Sequence, residues 1–171
     1  MTIYVALLRA VNVGGRKLLM SDLQAIAAEL GFEAPRTYIA SGNLLLSTNL
    51  EESQIKTMLE ARLADHMRSK VPVIVRTGPE LERVVANNPF TGDPGNRVVA
   101  IFLDGPPAAD LVESARNIAD ERIALGEREV YVAYSQHGMA GSRLRIPAAE
   151  AGTARNMNTV ARLAELAREM E

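Results

Sequence analysis

Six short segments fill the first 76 residues, and their order restricts the fold more than any other feature of the chain. Residues 3–8 (Ile-Tyr-Val-Ala-Leu-Leu) form a nearly continuous apolar run with β-branched members, the pattern of a strand buried on both faces. Residues 22–30 repeat Leu23, Ile26, Ala27 and Leu30 at helical spacing. Ser21 and Gln24 read as a capping box before that helix, and Gly31 stands where a helix-ending glycine belongs. A strand over 36–40, a turn at Ser41-Gly42-Asn43 and a return strand over 44–48 make a hairpin. Residues 51–69 form a second helix with Ile55, Met58, Leu59, Leu63 and Met67 on one face. Its start is acidic and its end basic, which suits the helix dipole. A fourth strand covers 71–76, with Pro72 at its entry. The order β-α-β-β-α-β is the ferredoxin-like arrangement.

The rest of the chain starts the pattern again. Gly78-Pro79 opens a helix carrying Leu81, Val84 and Val85, which stops near Asn88-Pro89-Phe90; a polar loop over 91–96 follows. An apolar strand over 98–103 comes next. A helix is expected after Pro106-Pro107, with Leu111, Val112, Ala115 and Ile118 as its buried face. Strands over 122–125 and 130–134, a long loop, and an amphipathic helix over 158–170 complete the chain. The second half thus reads as β-α-β-β-α, the first half without its last strand. The expectation is an α+β protein of two ferredoxin-like halves packed as one compact unit, divided into 1–77 and 78–171.

Composition narrows the function classes. Without cysteine there is no disulfide framework and no thiolate metal site. Two histidines, His66 and His137, give a zinc site little to build on, so no metal and no cofactor are expected. No apolar run approaches the roughly 20 residues that span a bilayer, and the first residues lead straight into a strand with no export signal. A cytoplasmic protein with no membrane partner is expected. A net charge of -2 lacks the electrostatic footprint of a nucleic-acid binder. RNA-recognition modules share the β-α-β-β-α-β order but need aromatic residues on the central strands. Here the third strand carries Leu44-Leu45-Leu46, and nucleic acid is not an expected partner. Lysine stands only at 17, 56 and 70, so most cations are arginines. That total is first explained by a GC-rich genome, while particular clustered arginines suit planar recognition of phosphate or carboxylate. No phosphate-loop lysine motif, nucleophile elbow or HExxH motif occurs.

Four polar clusters sit on expected loops. The first runs from Arg9 to Lys17 and holds Arg9, Asn12, Gly14, Gly15, Arg16 and Lys17. Consecutive glycines permit positive φ and a turn of N–H groups toward an anion; the same glycines serve a plain tight turn. The second is Thr37 to Asn43. Strands one and two are parallel in this topology, so Ser41 and Asn43 lie at the sheet end that Arg9 also reaches. The third, Ser135 to Arg145, contains His137, which has no carboxylate close by in sequence. The fourth, Thr153 to Thr159, places Arg155 and Asn156 before the last helix, where free N–H donors favour an anion or Asn156 caps the helix.

The segments Leu7 to Gly15, Thr37 to Asn43, Asn88-Pro89-Phe90 and Thr153 to Val160 together resemble the bacterial family catalogued as domain of unknown function 1697. Two positions depart from its pattern: Ala10, where the family usually has Gly, and Met157, where it has an aromatic residue, often Trp. The resemblance implies a two-part α+β fold with ferredoxin-like halves and implies no activity. From the residues, the expected function is binding of a small anionic, phosphate-bearing ligand by Arg9, Asn12, Gly14, Gly15, Lys17, Ser41, Asn43, Arg155 and Asn156. Two alternatives stay open: an acylphosphatase-like phosphohydrolase using Arg9 or Arg16 with Asn12 or Asn43, and a non-catalytic interaction module.

Overall fold

The computed structural model describes residues 1–171, which divide into two compact units, Met1–Glu80 with Leu163–Glu171, and Leu81–Arg162. The first unit contains β1 (Thr2–Leu8), α1 (Met20–Glu29), β2 (Glu33–Thr37), β3 (Asn43–Thr48), α2 (Glu52–Met67) and β4 (Val73–Thr77). Its sheet has the order β2-β3-β1-β4, with every neighbouring pair antiparallel. This is the ferredoxin-like arrangement. Alternation along the strands sends Tyr4, Ala6, Leu8, Leu44, Leu46, Val73 and Val75 into one core with Leu23, Ile26 and Ala27 of α1 and Ile55, Leu59 and Leu63 of α2.

Helix ends differ in part from the sequence reading. α1 begins at Met20 with Leu19 as its N-cap and no side-chain cap, so Ser21 lies inside the first turn and the Ser21–Gln24 box does not form. The C-terminal end follows expectation. Gly31 has φ +87, its N–H donates to Ala28 O (3.0 Å), and the N–H of buried Phe32 donates to Ala27 O (3.1 Å), a Schellman motif. β2 lies nearer the N-terminus than the expected 36–40. Tyr38 N–H already closes the hairpin on Asn43 O (3.0 Å), and Ile39 and Gly42 take positive φ, so residues 38–42 are the connection. α2 starts on a capping interaction, with Glu51 N–H donating to Gln54 Oε1 (2.9 Å), and ends at Arg68 in the left-handed conformation.

The second unit contains β5 (Val98–Phe102), β6 (Arg122–Leu125), β7 (Glu129–Ala133) and β8 (Thr153–Asn156), in the order β6-β7-β5-β8, again wholly antiparallel. The strand order repeats that of the first sheet, with β5 in the place of β1. Two expectations are corrected. β8 supplies the last strand that the sequence reading omitted; its alternation is Thr153, Ala154, Arg155, Asn156 and carries almost no apolar signal. The helix expected after Pro106-Pro107 does not form. Leu111 N–H and Ala115 N–H bond three residues back, as isolated turns do. Arg116 then exchanges both backbone bonds with Arg145, and Asn117 turns left-handed at φ +58. Leu111 is buried while Ile118 is exposed, so the four spaced apolar residues do not act as one face. Residues 103–121 and 134–152 thus stand in place of the two crossover helices. They close a smaller core in which Leu111, Ile146 and Ala149 cover Val130 and Val132.

Two helices span the division between units: α3 (Gly78–Ala86) and α4 (Met157–Glu169). α3 has a capping box in which Glu80 N–H donates to Thr77 Oγ1 (3.2 Å) and Thr77 N–H to Glu80 Oε1 (3.0 Å). Within the first unit, Ala167 of α4 packs on Gly78, where an added Cβ would come within 3.1 Å, and Glu169 pairs with Arg36 at 3.8 Å. Within the second unit, the Tyr131 hydroxyl donates to Val84 O of α3 at 2.7 Å.

Candidate anion site on the first unit

The end of β1 leads into a loop held by Asn12. Its Oδ1 accepts Leu18 N–H (2.9 Å), while its Nδ2 donates to Leu18 O (3.0 Å) and to Ala40 O (2.6 Å). One carboxamide therefore closes its own loop and ties it to the β2–β3 hairpin, the meeting that parallel β1 and β2 lead one to expect. Asn12 itself is left-handed at φ +57, a conformation its short polar side chain tolerates. Inside this loop Arg16 N–H donates to Val13 O (3.1 Å) across Gly14 and Gly15, both at positive φ, as a type I′ turn requires.

The hairpin is equally ordered. Asn43 is 0% exposed, and its Nδ2 donates to Tyr38 O (2.9 Å) and Ser41 Oγ (3.1 Å). Gly42 O accepts Leu8 N–H (2.9 Å), and a Cβ at Gly42 would stand 2.7 Å from Val11 Cγ2 and 3.0 Å from Leu8 Cβ. Only glycine allows this approach at φ +93.

A third loop joins them that the sequence reading left out. Arg16 reaches from the first loop to the α2–β4 connection, where its Nη2 donates to Lys70 O (2.8 Å) and Ser69 Oγ (3.1 Å); its Nη1 donates to Ala10 O (3.3 Å). Arg9 N–H donates to Pro72 O (3.0 Å). The signal was present in the topology: β4 runs antiparallel to β1, so the start of one lies beside the end of the other. Arg9, Arg16, Lys17, Arg68 and Lys70 thus belong to three connected loops, and no carboxylate occurs in 9–19, 38–43 or 67–72. Lys17, Arg68 and Lys70 are exposed, as are Gly14 and Gly15; Arg9, Arg16 and Ser41 are half-buried.

The remaining expected residues lie in the second unit. Arg155, on β8, is 9% exposed; its Nη1 donates to Ala154 O (2.9 Å), and burial draws its guanidinium pKa down to about 10. Asn156 Oδ1 accepts Thr159 N–H (3.0 Å) and so caps α4. Met157 N–H donates to Gly95 O (3.1 Å), which joins the segment 153–159 to the loop after Asn88-Pro89-Phe90. Nearby, the Arg122 guanidinium lies 5.0 Å from the Phe90 ring centroid and pairs with Asp93. The third polar cluster, 135–145, faces residues 117–121 across a cleft, which brings His137 to the same cavity as Asp120 and Glu121. No group of three His, Asp or Glu side chains is arranged to hold a metal ion, and no helix is long and apolar enough to cross a membrane.

The sequence model of a family described as "Protein of unknown function (DUF1697)" matches residues 1–131. No curated protein matches the chain. Among solved structures, the conserved bacterial protein SP0830 from Streptococcus pneumoniae is similar, with a TM-score of 0.79 and 24% identity over 97% of this chain and 98% of that one. At that identity the likeness is one of fold.

Proposed function

The chain belongs to the DUF1697 family of proteins of unknown function, and for this member we propose a binding function: the loop end of the first unit receives a small phosphate-bearing anion. One observation carries the reading, namely five cations in three interlocked loops with no carboxylate among them. Arg16 and Asn12 serve as the frame, since they hold loop carbonyls and, for Arg16, the Ser69 hydroxyl. Lys17, Lys70 and Arg68, all exposed, supply the charge, and the half-buried Arg9 supplies a planar donor. The Gly14-Gly15 tip lets a bulky anion approach the backbone without meeting a Cβ. Ser41 and Asn43 shape the hairpin that supports the platform. Arg155 and Asn156 belong to the second unit and have no part in this reading.

The test is calorimetric titration of the full chain with inorganic phosphate and pyrophosphate at low salt. Pyrophosphate is expected to bind more tightly, and both affinities to fall as salt rises. Lys17→Ala and Lys70→Ala are each expected to weaken binding by roughly fivefold, about 1 kcal/mol for an exposed charge pair. Absence of binding by either anion, or unchanged affinity in both variants, overturns the reading.

A further inference from the structure

The loop end of the first unit carries apolar side chains as well as cations. In that unit the exposed large apolar residues are Met1, Val13, Leu19 and Ile39, and all but Met1 stand in the loops at this end of the sheet. Val13 is 56% exposed, Leu19 51% and Ile39 46%. The Asn12 carboxamide brings the three together. Asn12 precedes Val13 in the chain, and its side chain bonds to Leu18 (2.9 and 3.0 Å), beside Leu19, and to Ala40 O (2.6 Å), beside Ile39. Each apolar residue is thus one peptide unit from a single hydrogen-bonded knot.

Neither the backbone nor the core asks for these residue types. Ile39 has φ +53, a conformation that a β-branched side chain adopts only under constraint and that Gly or Asn adopts at lower cost. The constraint is visible: Tyr38 N–H is held by Asn43 O (3.0 Å), and Ala40 O by Asn12. Leu19 is the N-cap of α1, a position that favours Ser, Thr, Asp or Asn, and it supplies no side-chain cap. Val13 closes the Gly14-Gly15 turn through its carbonyl (3.1 Å), so the turn needs only its backbone. None of the three belongs to the core of the unit.

Exposed aliphatic groups among Lys17, Arg68 and Lys70 narrow the partner. The carboxylates that flank these loops are engaged elsewhere: Asp65 pairs with Arg62 (3.8 Å), and Asp22 lies 3.6 Å from His66. An anionic phospholipid surface attracts clustered Lys and Arg to its phosphates and admits apolar side chains at the boundary between headgroups and acyl chains. Long cationic side chains keep their charge at the headgroups while the aliphatic tips go deeper. A nucleic acid would use the same cations, but its bases stack on aromatic rings, and the exposed tips here are aliphatic.

We propose that the loop end of the first unit docks on an anionic phospholipid surface, with the cations on lipid phosphates and Val13, Leu19 and Ile39 inserted below them. The proposal rests on the cation cluster of the anion reading above and names a lipid headgroup as the source of the phosphate. It replaces the expectation of no membrane partner, which followed from the lack of a spanning segment; a surface contact needs none.

The experiment is co-sedimentation of the full chain, at low salt, with vesicles of phosphatidylcholine alone and of phosphatidylcholine with phosphatidylglycerol in equal parts, beside titrations with inorganic phosphate and polyuridylate. Sedimentation with the anionic vesicles only is expected, declining as salt rises. Ile39→Asn, which suits the left-handed backbone, and Val13→Ser are each expected to lower vesicle affinity by about tenfold and to leave phosphate affinity unchanged. Ile39→Met keeps an apolar tip and is expected to sediment like the wild type. Phosphate binding without vesicle binding overturns this proposal and spares the anion reading; absence of both overturns both. Equal sedimentation with neutral vesicles, wild-type sedimentation of both Ile39→Asn and Val13→Ser, or binding of polyuridylate in place of vesicles also overturns it.

Discussion

Arg76 and Arg155 stand at equivalent points of two different sheets. Arg76 lies opposite Val5 of the central strand β1, and Arg155 opposite Ala100 of the central strand β5. Both are buried, and in each the Nη1 donates to the carbonyl of the preceding residue, at 3.0 and 2.9 Å. Each is followed by a residue that caps a helix, Thr77 for α3 and Asn156 for α4. The same device, a strand ending in a buried arginine and then a cap, is used twice in one chain. The repetition is invisible by identity because the two copies share only the arginine.

Equivalent caps are expected to behave alike. Thr77→Ala and Asn156→Ala should each destabilise the protein by about 1 kcal/mol, while Thr77→Asn and Asn156→Thr should change stability by only a few tenths. Urea unfolding of the four variants decides this. An alanine effect near zero at either site would show that the backbone N–H groups there do not depend on the side chain.

Asn12 carries three hydrogen bonds with one carboxamide. Asn12→Ala is expected to cost about 1–3 kcal/mol, given roughly 0.5–1.5 for each net bond and incomplete additivity. Asn12→Asp should be at least as damaging near neutral pH, because a carboxylate oxygen would then face the carbonyls of Leu18 and Ala40. Thermal unfolding near pH 7 and near pH 3 tests the assignment; recovery of the aspartate variant in acid is expected as the group protonates.

Glycines at the two loop tips differ in what surrounds them. Gly42 has φ +93 and two carbon atoms within 3.0 Å of where a Cβ would stand, whereas Gly14 has φ +57 and open space. Gly42→Ala is expected to cost about 2–4 kcal/mol, from steric overlap and backbone strain together. Gly14→Ala should cost about 1–2, from backbone strain alone. Chemical denaturation of both variants would reveal equal losses if crowding at Leu8 and Val11 were relieved by small shifts.

Tyr131 sets a limit at high pH. Burial first, and the charges of Glu129 and Glu127 after it, raise its phenol well above 10.0. A folded-state pKa above the unfolded value means that its stabilisation is complete below pH 10 and is lost as the unfolded phenol ionises above it. Tyr131→Phe is expected to lose about 1 kcal/mol near neutrality with the bond to Val84. Between about pH 10 and pH 11 the variant should then fall less steeply than the wild type. Parallel curves over that range would remove Tyr131 from the alkaline transition.

The first sheet was legible because each of its signals was local. Apolar runs such as 3–8 and 44–46 need no partner to be recognised, and Gly31 marks a helix end through its own backbone. The second sheet was legible only in part. β8 is written in Thr, Ala, Arg and Asn and becomes a strand through its pairing with β5, more than fifty residues away. The run Leu111 to Ile118 has helical spacing, but the Arg116–Arg145 pair takes its backbone bonds for a distant segment. At the candidate site, the shared sheet end of the first two loops follows from parallel β1 and β2, and Asn12 joins them through Ala40 O. The roles of Asn12, Arg16 and Asn43 as framework could not be read, since a polar side chain looks the same in sequence whether its partner is a ligand or a carbonyl.

Residues Leu163–Glu171 belong to the unit that begins at Met1. They are made by the ribosome only after all of 81–162. The first unit therefore cannot be complete until the second has been synthesised. Two segments far apart in sequence thus share one unit, and the segment between them forms the other. Displacement of Leu163–Glu171 would then be felt in the stability of the unit built on Met1–Glu80.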